Sequence, residues 1–181
     1  MKKLKEILQE ITQQEASKLL DKIKNKEIKF YARGDNGKVY QINNEDYLFK
    51  ITTEPDELAV ADVIVGRYGE FNAFIPVHYS DRSNRMYIMN KAEKLSPGDY
   101  RQVIQFYEDY KEYARNQGHE TSIFEYLNTE STRKYAPRLV SFLRALEQQV
   151  KRMGIGDLEF SLDFKPDNVM QWNGNIVMID W

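Results

Sequence analysis

Cysteine is absent from the 181-residue chain. That excludes a disulfide framework and any thiolate metal site. Histidine is scarce: His78 and His119 stand far apart, with no local partner pattern, and both read as structural. No apolar run approaches the about 18 residues that a membrane-spanning helix needs, and no signal-peptide core is present. The expectation is a soluble, cytoplasmic protein without membrane partners. Neither charge sign dominates, with 26 Lys+Arg against 28 Asp+Glu, a net charge of −2 and a pI near 5.8. Bulk electrostatics therefore offers no case for nucleic acid or an anionic membrane as partner. Internal repeats and low-complexity segments are also missing.

What is present suits a folded protein. The chain is 41% hydrophobic and 30% charged, enough to bury a core and too apolar for disorder. Its length fits one domain, or one domain with two lobes. The most informative stretch is Ser161-Leu162-Asp163-Phe164-Lys165-Pro166-Asp167-Asn168-Val169-Met170. Pro166 removes a backbone donor and biases Lys165 toward an extended conformation, which predicts a loop here. Val169 to Trp172 and Ile176 to Ile179 flank Asn173-Gly174-Asn175, a strong hairpin signal. A hairpin would bring Asp180 back towards Asn168. Phosphoryl transfer needs a carboxylate for the attacking hydroxyl, oxygen ligands for Mg²⁺ and a cation near the developing charge. Asp163 suits the base, Lys165 the cation, and Asn168 and Asp180 the metal ligands. Two hard oxygen ligands match Mg²⁺, which takes few protein ligands and keeps several waters.

The rest of the chain divides by period. Leu4, Ile7, Leu8 and Ile11, and then Ala16, Leu19, Leu20 and Ile23, have helical spacing. The capping box Thr12-Gln13-Gln14-Glu15 starts the second helix. Both read as an N-terminal extension over residues 1–27. From Ile28 the pattern becomes β-like: Ile28 and Phe30, then Val39 to Ile42, then Tyr47 to Ile51. Turn-rich Gly34-Asp35-Asn36-Gly37 and Asn43-Asn44-Glu45-Asp46 separate these runs. The first turn is either a plain hairpin turn or a phosphate cover, because small residues let backbone N–H groups approach phosphate oxygens. Lys50 stands between Phe49 and Ile51 and must face solvent or have a partner. A helix follows, with Thr53 as candidate cap, Pro55, Asp56 and Glu57 in its first turn, and Leu58 to Tyr68 apolar almost all round. Phe74 to Val77 and Met86 to Met89 read as two more strands around a turn from Ser80 to Arg85. Further helices are expected from Ser96 to Gln117, from Ser122 to Leu127, and from Thr132 to Met153, the last presenting Leu139, Phe142, Leu143, Leu146 and Val150 on one face. Gly118 ends the first of them; Gly154 and Gly156 end the last.

Asp163-Phe164-Lys165-Pro166-Asp167-Asn168 resembles the catalytic loop of serine/threonine protein kinases, and Ile179-Asp180-Trp181 resembles the start of their Asp-Phe-Gly metal motif. Ala32-Arg33-Gly34-Asp35-Asn36-Gly37-Lys38-Val39 is similar to the kinase glycine-rich loop, with Ala32 in place of the first glycine. Tyr47-Leu48-Phe49-Lys50 is similar to the family's Val-Ala-Ile-Lys. The resemblance covers roughly residues 30 to 181. It implies an α+β, two-lobed fold: an antiparallel five-stranded N-lobe with one helix (28–92), then a reduced, mostly helical C-lobe (93–181) carrying the catalytic loop and the metal-binding hairpin. Asn90 to Lys94 would be the hinge. It implies ATP and Mg²⁺ as cofactors. Backbone around Gly34 and Gly37 would cover the phosphates, Lys50 would position them, and a helix acid would pair with Lys50, Glu57 by choice and Asp62 as the second candidate. Val39, Leu48, Met89 and Met170 would contact the adenine.

The sequence also departs from the family. Ser161-Leu162 replaces the usual His-Arg, so control through a phosphorylated activation segment is not expected. After Trp181 there is neither an activation segment nor a later helical subdomain, which implies a fragment or a minimal kinase resembling those of lytic bacteriophages and bacterial effectors; for a viral protein the compartment would be the host cytoplasm. Lys165, where small-molecule kinases of this fold more often carry histidine, favours a protein substrate. The expected activity is thus that of a Ser/Thr protein kinase. The alternatives are a small-molecule kinase of the aminoglycoside or choline type, and a non-catalytic pseudokinase that binds a protein partner.

Overall fold

The computed structural model describes residues 14, 17–34, 37–43, 45–118, 120–155 and 162–180. The Leu4 to Ile11 stripe, Thr12, Gln13, Glu15, Ala16, Asp35, Asn36, Asn44, His119, Gly156, Ser161 and Trp181 lie outside the described residues. The fold is α+β and falls into two compact units. One holds the residues up to Phe71 together with Pro76–Lys91, and the other holds Asn72–Ile75 and the chain from Ala92 onward.

The first unit is built on five antiparallel strands: β1 (Ile28–Arg33), β2 (Gly37–Ile42), β3 (Tyr47–Thr52), β4 (Val77–Asp81) and β5 (Met86–Asn90), in the order β1-β2-β3-β5-β4. Such a sheet with a single helix between β3 and β4 is what the kinase resemblance implies. Side chains alternate across a strand, so each strand serves two faces. One face gathers Tyr40, Ile42, Phe49, Met86 and Ile88, and the helix over residues 17–24 (α1) packs Leu19, Leu20 and Ile23 against it. Tyr40 stacks on Phe49 with ring centroids 5.8 Å apart. The opposite face carries Val39, Leu48, Lys50, Thr52, Tyr87 and Met89, as the register pairs of Val39 with Lys50, Lys50 with Tyr87 and Leu48 with Met89 require.

Helix α2 (Pro55–Ile64) covers part of that second face with Glu57, Leu58, Val60, Ala61 and Ile64. It is shorter than the apolar run to Tyr68 suggests, because Gly66, at φ 68°, turns the chain and donates its N–H to the Val77 carbonyl at 3.0 Å. Thr53 is not its cap: Glu54 holds the N-cap position without a side-chain bond. His78 is buried, with Nδ1 against the Tyr68 hydroxyl at 2.7 Å and Nε2 against Asn90 Oδ1 at 2.9 Å, the bonded core histidine that its sequence context suggests.

The strand expected over Phe74–Val77 does not form as one element. Pro76 has no N–H to give to a ladder, and only Val77 belongs to β4. Residues 72–75 instead join the second unit: Met178 donates to the Ala73 carbonyl at 2.8 Å and Ile75 donates to the Met178 carbonyl at 2.9 Å. Gln149 holds the same segment, accepting from Ala73 N–H at 3.0 Å and donating to Asn72 Oδ1 at 2.6 Å.

The second unit is mostly helical. Helix α3 (Pro97–Gln117) starts at a Ser96 cap and stops at Gly118, φ 72°. Helix α4 (Ile123–Leu127) starts at a Ser122 cap. Helix α5 (Pro137–Met153) begins five residues later than its periodicity suggests, after a 3₁₀ turn at Glu130–Lys134. Pro137 sets that start, since it fits the first helical turn and no later position. Of the aromatic residues of α3, Phe106 makes core: it is fully buried and meets the rings of Tyr126, Tyr135 and Phe164 at 5.3–5.7 Å, while Tyr100 is exposed. The predicted hairpin is present as β6 (Val169–Trp172) and β7 (Asn175–Met178), joined by Asn173 and Gly174 at φ 47° and 76°. These are the positive values a tight two-residue hairpin turn requires. Among the described residues no helix is long and apolar enough to cross a membrane.

Candidate active site

In the first unit, β3 places Lys50 on the face that α2 covers. Its ammonium forms an ion pair with Glu57 Oε1, and the two residues are 5% and 1% exposed. Of the two acids the sequence leaves open, Glu57 is therefore the one that meets Lys50; Asp62 pairs with Arg82 instead. A lone ammonium or carboxylate so deep would be prohibitively desolvated, so each requires the other. Two further donors reach the same carboxylate. Tyr87 O–H donates to Oε1 at 2.5 Å and Thr52 O–H donates to Oε2 at 2.5 Å. Neither was singled out from sequence. Thr52 lies two residues beyond Lys50 and so shares its face, a signal that period-2 reasoning contains. Tyr87 is identified only by the β3–β5 register. Val39, Leu48 and Met89, the expected adenine contacts of this unit, share the face of Lys50.

The two glycines differ. Gly34 donates its N–H to the Gly37 carbonyl at 3.1 Å, and a Cβ at Gly34 would meet nothing within 4 Å. A Cβ at Gly37 would run into the Ile51 carbonyl oxygen at 2.4 Å. The close approach of β2 to β3 thus requires glycine at 37.

In the second unit the loop before β6 alternates. Leu162 and Phe164 are buried, while Asp163 and Lys165 are exposed. Phe164 fixes the loop by its ring contact with Phe106 of α3. Its N–H reaches back to the Leu162 carbonyl at 2.7 Å, a three-residue turn centred on Asp163. Lys165 is extended, at φ −128° and ψ 152°, as Pro166 demands, and Pro166–Asn168 makes one 3₁₀ turn. Lys165 Nζ stands 2.9 Å from the Asp163 carboxylate. Asn168 Nδ2 donates to the Asp163 backbone carbonyl at 2.8 Å and to its Oδ2 at 3.1 Å.

With Nδ2 engaged by Asp163, the amide oxygen of Asn168 is the atom left to serve a cation. The Asn168 backbone carbonyl accepts from Ile179 N–H at 2.9 Å, which ties the end of the hairpin, and with it half-buried Asp180, to the loop. Asp163, Lys165, Asn168 and the residue preceding Asp180 are therefore held in one hydrogen-bonded frame. Among the described residues there is no cluster of three or more His, Cys, Asp or Glu suited to a metal. A site built on Asn168 and Asp180 would be of the sparser, Mg²⁺-like kind, with an amide and a carboxylate oxygen and the remaining positions left to water and phosphate. Their chemistry fits that ion.

Beside the loop lies a cavity of about 390 Å³, lined by Lys94, Leu95, Pro97, Tyr100, Pro166, Asp167, Val169 and Met170. It contains Met170, the expected adenine contact of this unit. Tyr100 donates to Asp167 Oδ1 at 3.2 Å, and that bond holds the Tyr100 hydroxyl above the usual phenol range.

No family model and no curated protein matches the chain. Among solved structures, a similar chain is found in the streptomycin-ATP-APH(2")-IIa ternary complex, at 14% identity and a TM-score of 0.34, with 85% of this chain and 64% of that chain covered. The chain thus spans less than two thirds of the length of that relative.

Proposed function

We propose that the chain is an ATP- and Mg²⁺-dependent phosphotransferase that delivers the γ-phosphate to a serine or threonine hydroxyl of a protein. The observation that carries this reading is the frame around Asp163: one amide, Asn168, donates to the base and keeps its oxygen for a cation. When bound, Mg²⁺ and ATP supply the electrophilic phosphorus and the neutralised leaving group. In this reading Asp163 orients the acceptor hydroxyl and takes its proton, with Lys165 beside it to offset charge that develops on the transferred group. Asn168 and Asp180 hold the ion. In the first unit Lys50 binds the α and β phosphates, kept in place by Glu57, while Val39, Leu48 and Met89 give the adenine an apolar surface and Gly34 leaves open space at the turn.

A second reading, transfer to a small molecule, is favoured by the cavity beside the loop. Its volume lies within the range of about 300–1,000 Å³ typical of small-ligand sites, and its wall carries both a carboxylate, Asp167, and an ammonium, Lys94.

The test is transfer of labelled γ-phosphate from ATP with Mg²⁺ to the protein itself, to a lysate and to a panel of small hydroxylated amines. Wild type is compared with Asp163→Asn and Asp180→Asn. Label on protein bands from wild type alone is the expected result. Label on a small acceptor alone would move the assignment to the second reading. ATP binding without any label would make the chain a nucleotide-binding pseudokinase.

A further inference from the structure

We propose that Thr52 and Tyr87 are positioning residues that lock Glu57 to the sheet, so that the Lys50–Glu57 pair stays assembled whether or not nucleotide is bound. Its importance for catalysis rests on the phosphotransferase reading; the lock itself does not.

The geometry argues as follows. Glu57 is 1% exposed and accepts from Lys50, Tyr87 and Thr52. All three donors belong to the sheet, Lys50 and Thr52 to β3 and Tyr87 to β5, directly opposite Lys50. Hydrogen bonds to an ionised, buried acceptor are the strong kind, and breaking them without water at hand leaves the carboxylate stranded. The connection from β3 to α2 is also short. Only Thr53 and Glu54 separate Thr52 from Pro55, and the Thr52 oxygen accepts from Glu54 N–H at 3.1 Å while its hydroxyl donates to Glu57. Thr52 thus fastens both the entry to the helix and the acid one turn inside it. Swinging Glu57 away from Lys50 would require breaking every one of these bonds together with the burial of Leu58 and Ala61. The pair is part of the folded core and has no separate assembly step for a regulator to control.

Three variants test this in the full chain: Thr52→Val, which keeps shape and loses the donor; Thr52→Ser, which keeps the donor; and Tyr87→Phe, which keeps the ring. Two readouts need no turnover. One is the rate of Lys50 acetylation by acetic anhydride without nucleotide, followed by peptide mass spectrometry from pH 7 to 10. The other is hydrogen exchange of the α2 amides. Thr52→Val and Tyr87→Phe should each raise Lys50 labelling and α2 exchange by about tenfold, the scale of one lost hydrogen bond to a charged group. Thr52→Ser should behave as wild type. In the transfer assay the same two variants should raise KM for ATP more than they lower kcat, the signature of lost substrate binding. Wild-type labelling and exchange in both donor-less variants would overturn the lock, as would rapid Lys50 labelling in wild type itself. A wild type without ATP turnover but with both readouts as expected would remove the reaction and leave the lock standing.

Discussion

The two units each hold a lysine beside an acid, and the two pairs could hardly differ more in setting. Lys50 and Glu57 are 5% and 1% exposed, and the side chains of Lys165 and Asp163 are 54% and 47% exposed at 2.9 Å. The first pair is buried against the sheet, where removing one member takes the nearest opposite charge from the other. The second is in water, where such a pair contributes about 0–1 kcal/mol. What fixes Asp163 is therefore not its ion pair. It is the burial of Leu162 and Phe164 on either side, together with the two bonds from Asn168. One acid is part of the fold, and the other is displayed by it.

The largest effect expected from breaking this contrast is on stability. Glu57→Leu takes its carboxylate away from the buried Lys50 ammonium and should cost about 3–5 kcal/mol in urea denaturation. Adding Lys50→Met should recover most of that loss. Asp163→Asn, at an exposed position, should change stability by no more than about 0.5 kcal/mol. Equal losses for Glu57→Leu and Asp163→Asn would mean that the two settings do not differ in energy.

Phe164→Ala sharpens the comparison from the other side. Deleting a buried phenylalanine costs about 3–5 kcal/mol, and here it also removes the contact with Phe106 that holds the loop. Any phosphotransfer should fall with it, although no atom of Phe164 belongs to the proposed chemistry. Phe164→Leu should restore part of both. Full transfer activity in folded Phe164→Ala protein would show that the Asn168 bonds position Asp163 without the anchor.

The glycines give a smaller effect. Gly37→Ala drives a methyl into the Ile51 carbonyl, an overpacking of the kind that costs about 1–3 kcal/mol. Gly34→Ala enters open space and should stay within about 0.5 kcal/mol. A shared, strong loss of ATP binding with unchanged stability in both would return the two positions to a common role over phosphates.

Much of this is legible in the sequence, where the signal is local. Pro166 marks the loop, Asn173-Gly174 the hairpin, Gly118 and Gly154 the helix ends, and Lys50 in an apolar run the alternative of solvent or a partner. What is not legible depends on residues distant in the chain. Tyr87 faces Glu57 because β5 pairs with β3 in one register out of several. Phe74 and Ile75 read as strand but pair with Met178 a hundred residues on. The start of α5 at Pro137 is not legible from the Leu139–Val150 stripe, which defines a face and carries no information about where the face begins. The steric need for glycine at 37 comes from its pairing with β3 and is likewise invisible in the sequence.

A third acid–lysine pair lies between the two extremes and gives the finest test. Asp109 Oδ2 is 2.7 Å from Lys134 Nζ, with side chains 19% and 53% exposed, and it also accepts from Tyr135 O–H; Gln105 donates to Oδ1 at 3.0 Å. Burial alone would raise the Asp109 pKa, but Lys134, Tyr135 and Gln105 together outweigh it and hold the carboxyl below its ordinary value. Burial and the bond to Asp109 push the Tyr135 hydroxyl up. A lowered acid binds fewer protons folded than unfolded, so its contribution is complete above the ordinary carboxylate pKa of about 3.9 and fades as pH falls through the lower folded value. A raised phenol works in the opposite sense, and its contribution fades as pH climbs past about 10. Stability measured as the urea midpoint should therefore fall at both ends of the pH range. Asp109→Asn should flatten the acid limb and Tyr135→Phe the alkaline one. If Asp109→Asn leaves the acid slope unchanged, the half-buried pair behaves like the exposed Lys165–Asp163 pair, and burial of the acid to this depth is not enough to make an ion pair part of the fold.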